Sequence, residues 1–139
     1  MRFWDTSSLV PLLMEEERSH EMVELFREDD SIATWWGTSV ECASAIRRKE
    51  RMDELDMRAA QDSIALLDEL SQGWVEVEGT AQIRSTALRL LAVHPLIAAD
   101  ALQLAAALDW AGRTDGEAHF ISLDQRLSDA ASREGLTCI

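Results

Sequence analysis

Cysteine and histidine are scarce in this sequence and its glycines are scattered, which excludes several classes of protein. The two cysteines, Cys42 and Cys138, form neither a CxxC pair nor a zinc-type pattern, so we expect reduced thiols rather than a disulfide scaffold. The three histidines show neither HxxxH nor HxH spacing, which gives a zinc hydrolase little support. The six glycines stand singly, so no dinucleotide or P-loop motif can be written, and we expect no nucleotide cofactor.

Long apolar runs are also missing. No stretch approaches the roughly 20 apolar residues that a membrane span needs, so we expect no contact with a membrane. The N-terminal residues Met1 to Asp5 reach an acid too early for a signal peptide. These features predict a cytoplasmic protein.

Positive charge is the third shortage. The chain has 13 Lys and Arg against 26 Asp and Glu, a formal net charge of −13. This balance disfavours binding of nucleic acid or anionic lipid through bulk charge, so a polyanionic substrate would need a local site that attracts anions. With 139 residues, of which 47% are hydrophobic and 28% charged, the chain can build a proper core, and we expect a single domain over 1–139.

Short apolar runs alternate with helical periodicity about five times along the chain. Strands are predicted at 3–4, 32–35, 74–77, 120–123 and 137–139, and helices at about 6–13, 19–27, 38–51, 57–72, 83–94, 95–110 and 125–134. Pro95 is placed near the first turn of the helix that it opens. Because parallel strands need crossover helices that cover both faces of the sheet, the pattern predicts an α/β fold. We expect a three-layer α/β/α sandwich around a mostly parallel sheet of about five short strands.

Four of the 26 acids stand where proteins usually avoid them. Asp5 and Asp124 each follow an apolar strand, near the carboxyl ends at which open α/β sheets bind ligands. Glu41 and Asp100 lie among small and apolar residues, where an acid is costly unless it has a partner. Each acid alone has a plainer interpretation, because Asp is a preferred helix N-cap and the helix dipole favours an acid in a first turn.

A divalent cation explains the four acids together. Carboxylates gathered at one point repel one another, and Mg²⁺ or Mn²⁺ holds them ionised. Such an ion would orient a water molecule and stabilise the charge that develops during attack on a phosphodiester. The hydroxyls of Ser7 and Ser122 are either caps or supporting groups that bond the carboxylates.

A dense basic cluster follows Glu41 on the same predicted helix and consists of Arg47, Arg48, Lys49 and Arg51. On an acidic protein it is a candidate phosphate clamp beside the metal. The alternative is a solvated helix face, paired with neighbouring acids. Trp4, Trp35 and Trp36 are expected in the core or an interface, although a tryptophan near the cleft could stack a base.

Four segments carry a family resemblance when taken together. Phe3–Leu9, Thr38–Ile46, Ala99–Ala107 and Phe120–Leu127 each contribute one acid, in order, over essentially the whole chain. They resemble the PIN-domain ribonucleases of the VapC type, the toxins of type II toxin-antitoxin modules. Ser122 stands where a threonine is more usual in that family.

The resemblance implies a PIN-like fold and a Mg²⁺- or Mn²⁺-dependent endoribonuclease that hydrolyses phosphodiester bonds in RNA. It matches Asp5, Glu41, Asp100 and Asp124 to the family's acidic quartet, and Ser7 to a hydroxyl that accompanies the first acid. It also implies a homodimer and a VapB-type antitoxin whose C-terminal segment crosses the cleft.

Two other functions stay open at this point. A PIN-like nuclease could act on DNA or flap substrates, because attack by water needs no 2′-hydroxyl. A non-catalytic module could use an acidic pocket to bind a cation or a basic peptide. A phosphoryl receiver also gathers acids at strand ends, but it needs a lysine after a late strand, whereas the single lysine here is Lys49.

Overall fold

Five short strands and seven helices alternate in the computed structural model, which describes residues 1–139. The strands are Arg2–Trp4 (β1), Ile32–Trp35 (β2), Val75–Val77 (β3), His119–Ile121 (β4) and Thr137–Cys138 (β5). The helices are Thr6–Leu13 (α1), Ser19–Glu28 (α2), Thr38–Arg51 (α3), Met57–Ser71 (α4), Ala81–Val93 (α5), Ala98–Ala111 (α6) and Gln125–Arg133 (α7). The longest helix has 15 residues, and none is both long and apolar enough to cross a bilayer.

The strands form one sheet in the order β3-β2-β1-β4-β5, and every neighbouring pair is parallel. From the central β1, the chain first builds outward on one side through β2 and β3. It then crosses to the other side, where β4 pairs with β1 and β5 completes the sheet. The direction of winding therefore changes between β1 and β4, and open α/β sheets leave a ligand-binding crevice at the carboxyl ends of two such strands.

Alternate residues of the strands face two separate apolar cores. Phe3 and Phe120 pack beneath α5, α6 and α7 on one face of the sheet. Trp4 and Ile121 pack beneath α1 to α4 on the other. Because both faces are covered, the short strands are apolar at most positions, as is usual for parallel sheets. The predicted three-layer α/β/α sandwich is confirmed, with a sheet that is parallel throughout.

Two predicted boundaries are wrong for local reasons. Pro95 lies outside α6, which begins at Ala98 because Ile97 before it has extended backbone (φ −85°, ψ 167°). Strand β4 ends at Ile121 rather than at Leu123. The amide groups of Leu123 and Asp124 do not join the ladder, since Leu123 N donates to Ser7 Oγ and Asp124 N donates to Ser122 Oγ. This early end of β4 shapes the crevice described next.

The cysteines and tryptophans fall mostly as expected. Cys42 and Cys138 are free thiols, which confirms the prediction, and Cys42 is fully buried in the core beneath α3. Burial raises the pKa of the Cys42 thiol to about 12, so it is uncharged at neutral pH. Trp4 and Trp35 are buried, whereas Trp36 lies outside the core.

Candidate active site

Asp5 lies at the centre of the crevice, directly after β1. Its backbone N–H donates to Ile121 O at 2.9 Å, which joins the ends of β1 and β4. Its side chain caps α1 by accepting from Ser7 N at 3.2 Å. The plain interpretation of Asp5 as an N-cap is therefore correct, but it is incomplete, because the side chain also lines a large cavity.

The carboxylate of Asp5 is nearly inaccessible, with 4% of the residue exposed. Its Oδ2 accepts from the hydroxyl of Ser7 and, at 2.9 Å, from the hydroxyl of Ser122. Burial nevertheless raises the pKa of Asp5 to about 6, because the hydrogen bonds from Ser7 and Ser122 offset only part of the desolvation, and the charge of Glu41 adds to the rise. All of these hydrogen bonds fall on Oδ2, so Oδ1 has no hydrogen-bond partner in the protein.

Ser7 and Ser122 tie the two strand ends together as well as holding Asp5. Ser7 Oγ accepts from Leu123 N at 2.9 Å, and Ser122 Oγ accepts from Asp124 N at 3.1 Å. The hydroxyl oxygens of the two serines are 3.3 Å apart. The structure thus places both predicted supporting hydroxyls on the first acid, where they fix its rotamer.

Glu41 lies in the first turn of α3 and is held by hydrogen bonds from Thr6 and Gln103. Thr6 Oγ1 donates to Glu41 Oε2 at 2.7 Å, and Gln103 Nε2 donates to the same oxygen at 3.0 Å. Gln103, 1% exposed, also donates to Thr6 Oγ1 at 2.6 Å, and its own Oε1 is buried without a partner. The available signal was a lone amide in the alanine- and leucine-rich segment after Asp100.

Asp100 and Asp124 come from helix N-termini on the other side of the crevice. Asp100 lies in the first turn of α6, and Asp124 caps α7 by accepting from Leu127 N at 3.0 Å. Burial raises the pKa of Asp100, and so do the charges of Asp124 and Glu41, while Arg126 opposes the rise. Arg126 lies on α7 and Asp100 lies on α6, so this charge interaction joins two helices.

All four acids line one cavity of about 770 Å³ at the carboxyl ends of β1 and β4. In the structure no three Asp, Glu, His or Cys side chains stand close enough together to hold one ion. The type of donor nevertheless suits Mg²⁺ or Mn²⁺, because carboxylate and hydroxyl oxygens line the cavity and no His or Cys does. The unbonded Oδ1 of Asp5 and the raised pKa values of Asp5 and Asp100 are features that a dication would relieve.

The structure divides the predicted basic cluster. Arg48 and Lys49 line the cavity, whereas Arg47 and Arg51 do not. Lys49 Nζ pairs with Glu16 at 2.9 Å and with Glu54 at 3.6 Å, and Arg47 pairs with Glu50 at 2.8 Å. Arg48 forms no ion pair, which makes it the unpaired cation on the cavity wall.

No protein-family model matches the sequence, and no curated protein matches it. The fold, however, matches the crystal structure of Mycobacterium tuberculosis VapC20, a Sarcin-Ricin loop cleaving toxin, with a TM-score of 0.71. The match covers 99% of this chain and 97% of VapC20 at 19% sequence identity. The chain has the fold of a VapC toxin. The PIN-like fold that the resemblance of the four segments implied is therefore confirmed.

Proposed function

We propose that this chain is a metal-dependent endoribonuclease toxin of the VapC type. One observation carries the proposal: four acids from separate parts of the sequence line a single cavity at the point where the sheet changes its direction of winding. The fold shared with VapC20 supports the same function independently of those residues.

Asp5, Glu41 and Asp100 are the residues proposed to hold Mg²⁺ or Mn²⁺, directly or through water, and Asp124 completes the set. When bound, such an ion supplies an acidified water and neutralises negative charge on the scissile phosphate. The protein's own contribution is to keep the carboxylates in place before the substrate arrives. Ser7 and Ser122 hold Asp5 at the junction of β1 and β4.

Thr6 and Gln103 do the same for Glu41. Both donate to Oε2, which leaves Oε1 of Glu41 without a hydrogen bond from the protein. Because Gln103 is buried on the packed face of α6, its hydrogen bond holds Glu41 against the helix that also carries Asp100. Groups that fix metal-binding carboxylates in this way commonly change activity about 10- to 100-fold when they are removed.

The proposed partners follow from charge. An RNA phosphate approaching a protein of net charge −13 needs a local cation, which the metal and Arg48 would supply. A VapB-type antitoxin segment that carries Arg or Lys would complement the same acids and block the cavity. We also propose that the chain acts as a homodimer, as the resemblance implies.

The test is a cleavage assay on single-stranded RNA, single-stranded DNA and branched duplex DNA, with Mg²⁺ or Mn²⁺ and with a chelator. We expect RNA cleavage that requires the metal. Asp100→Asn should lower its rate by at least about 100-fold, because it removes a ligand and a charge from the site. Asp62→Asn is the matched control, since Asp62 is an exposed acid on α4 outside the cavity.

Other outcomes would overturn specific parts of the proposal. Cleavage of DNA or branched duplex in preference to RNA would assign the site to a PIN-like DNA nuclease. Binding of a cation or a basic peptide without any cleavage would leave a non-catalytic module. Wild-type turnover by the Asp100→Asn variant would refute the assignment of the site.

A further inference from the structure

Trp36 is the one exposed aromatic side chain of the protein. It is 60% exposed, whereas the other four tryptophans are at most 9% exposed and none of the three phenylalanines is exposed. Large aromatic side chains seldom stay in water unless they contact a partner. Trp36 lies in the turn between β2 and α3, at the same end of the sheet as the acidic cavity.

The Trp36 ring rests on a neighbour that cannot easily move. Trp35 packs edge to face with Trp36, with ring centroids 6.4 Å apart and an interplanar angle of 77°. A Cβ atom at Gly37 would lie 2.5 Å from Nε1 of Trp35, and one at Gly79 would lie 3.3 Å from the far edge of its ring. The two glycines thus allow Trp35 to fill the space beneath Trp36. The Trp36 ring therefore packs against a buried neighbour on one side and meets solvent on the other.

Helix α3 begins at Thr38, two residues after Trp36, and runs along the wall of the cavity. Val40, Ser44 and Arg48 follow at four-residue intervals, so they lie one above another on the helix, and all three are exposed. The same three residues line the cavity beside Glu41. From Thr38 to Arg48 the helix rises about 15 Å.

The two ends of this stripe differ in chemistry. Arg48 has no carboxylate partner, although Arg47 and Lys49 on either side of it are paired. At the other end, Val77 of β3 pairs with Trp35 and accepts the Trp36 N–H, so the acids Glu76 and Glu78 flank the residue that holds this end of the stripe. Acids there disfavour a phosphate, so the contact suited to Trp36 is the uncharged face of a base.

We propose that Trp36 and the exposed stripe of α3 that follows it, formed by Val40, Ser44 and Arg48, bind single-stranded RNA, with Trp36 stacking on a base and Arg48 contacting a phosphate. The strand would then pass over Glu41 and the other acids. This inference rests on the proposed ribonuclease function and adds the residues that would hold the strand outside the acidic cavity. A base within a duplex is already stacked and paired, so a stacking site of this kind selects unpaired nucleotides.

The test measures the affinity of a short fluorescent single-stranded RNA in the Asp100→Asn background, where the RNA stays intact. Trp36→Ala should raise Kd by about tenfold or more, the range seen when a base-stacking aromatic is removed. Trp36→Phe should recover most of the affinity, because a ring remains. Leu88→Ala is the matched control: Leu88 is an apolar residue, 65% exposed, on α5 at the opposite face of the sheet.

An abasic scan locates the stacked base. In a series of RNAs with one abasic nucleotide each, the parent protein should lose affinity sharply at one position, and Trp36→Ala should remove that sensitivity. Because the protein variant and the abasic nucleotide delete the same contact, their effects should not add. Additive effects at every position would overturn the stacking contact.

A second pair of variants tests the proposed contact between Arg48 and a phosphate. Arg48→Ala should weaken binding at all sequences and reduce the slope of log Kd against log salt by about one. Arg47→Ala, whose guanidinium is engaged with Glu50, should change the slope less. Equal slopes for the two variants would remove Arg48 from the proposal.

Failure of this inference differs from failure of the proposed function. If the native chain cleaves RNA and the Trp36→Ala variant binds RNA within twofold of its parent, only the proposed stacking contact of Trp36 is wrong. If Trp36→Ala changes the oligomeric state or antitoxin binding while RNA affinity stays the same, Trp36 belongs to a protein interface and the stacking contact is again wrong. If the native chain neither binds nor cleaves RNA, both proposals fail.

Discussion

At the scale of single residues, Asp5 shows how the site and the stability of the fold oppose each other. Its carboxylate caps α1 and accepts two serine hydroxyls, which stabilises it where it stands. Burial still outweighs these contacts and raises its pKa to about 6. At neutral pH the folded protein therefore holds a charge that its surroundings disfavour, in the place where a metal ion would be useful.

Asp5→Asn should make the metal-free protein more stable at pH 7.5 while abolishing RNA cleavage. The folded pKa of Asp5 lies above the unfolded value of 3.8, so its contribution to stability is present below pH 4 and is lost as the pH rises through about 6. The gain at pH 7.5 is on the order of 2 kcal/mol. Thermal unfolding in chelator at pH 4 and pH 7.5 measures it.

The matched control is Asp56→Asn. Asp56 caps α4 by accepting from Ala59 N at 2.8 Å, but it is exposed. This variant should change stability little, because its side chain is in water. If Asp5→Asn were less stable than the native chain at pH 7.5, the account of a disfavoured buried charge would be wrong.

The sequence identified the acids but not the hydrogen bonds that hold Glu41. Asp5, Glu41, Asp100 and Asp124 stand out because each interrupts an apolar or small-residue segment. The hydrogen bonds from Thr6 and Gln103 to Glu41 join positions 35 and 62 residues apart, so they exist only after the chain has folded.

The tryptophan pair shows the same limit more simply. Trp35 and Trp36 are adjacent and chemically identical, yet one is buried and the other is exposed. Strand β2 ends at Trp35, and that boundary decides which ring faces the core. Local composition carries no signal for this difference.

At the scale of elements, periodicity predicted the order and type of every helix and strand, because each apolar face had a core to meet. The error at β4 lies where side chains replace backbone contacts. At β4 the hydroxyls of Ser7 and Ser122 take over the amides that would have extended the strand. A ladder predicted from apolar residues alone continues too far, since it takes no account of these side chains.

Helices α5 and α7 are tied together by a cluster that no sequence pattern suggested. Arg89 Nη1 and Nη2 donate to the two carboxylate oxygens of Glu134 at 3.0 and 2.6 Å, and His94 Nε2 lies 2.8 Å from Glu134 Oε1. The hydrogen bonds from Arg89, with those from His94, lower the pKa of Glu134 to about 2. Glu134 directly follows α7, so the cluster fixes the end of that helix.

Glu134→Gln should destabilise the protein at pH 7 by about 1 kcal/mol, a figure reduced because Arg89 is largely exposed. The folded pKa lies below the unfolded value of 4.5, so the contribution is present above pH 4.5 and is lost as the pH falls toward 2. The difference from the native chain should therefore shrink on acidification, as measured by urea unfolding at pH 7 and pH 3.

Glu28→Gln supplies the comparison for that measurement. Glu28 pairs with Arg2 at 3.0 Å, but its side chain is 63% exposed. An exposed pair contributes little to stability, so this variant should unfold close to the native midpoint. If both variants behave alike, the Glu134 cluster has no special role in holding α7.

At the scale of the whole molecule, the net charge of −13 makes the metal central to the account. An acidic protein repels RNA at long range, and its acidic cavity repels RNA most strongly. A dication in the cavity reverses that repulsion at the point of cleavage, and the stripe of α3 would guide an unpaired strand toward it. The fold shared with VapC20, the cavity at the winding change and the paired carboxylates agree with one another.

The most direct measurement is a calorimetric titration of Mn²⁺ or Mg²⁺ into the native chain and into Asp5→Asn, Asp100→Asn and Asp62→Asn at pH 7.5. The account predicts saturable binding to the native chain, at least about tenfold weaker binding to the first two variants, and native affinity for Asp62→Asn, which lies outside the cavity. Absence of binding to the native chain, or equal affinity across all four proteins, would contradict it.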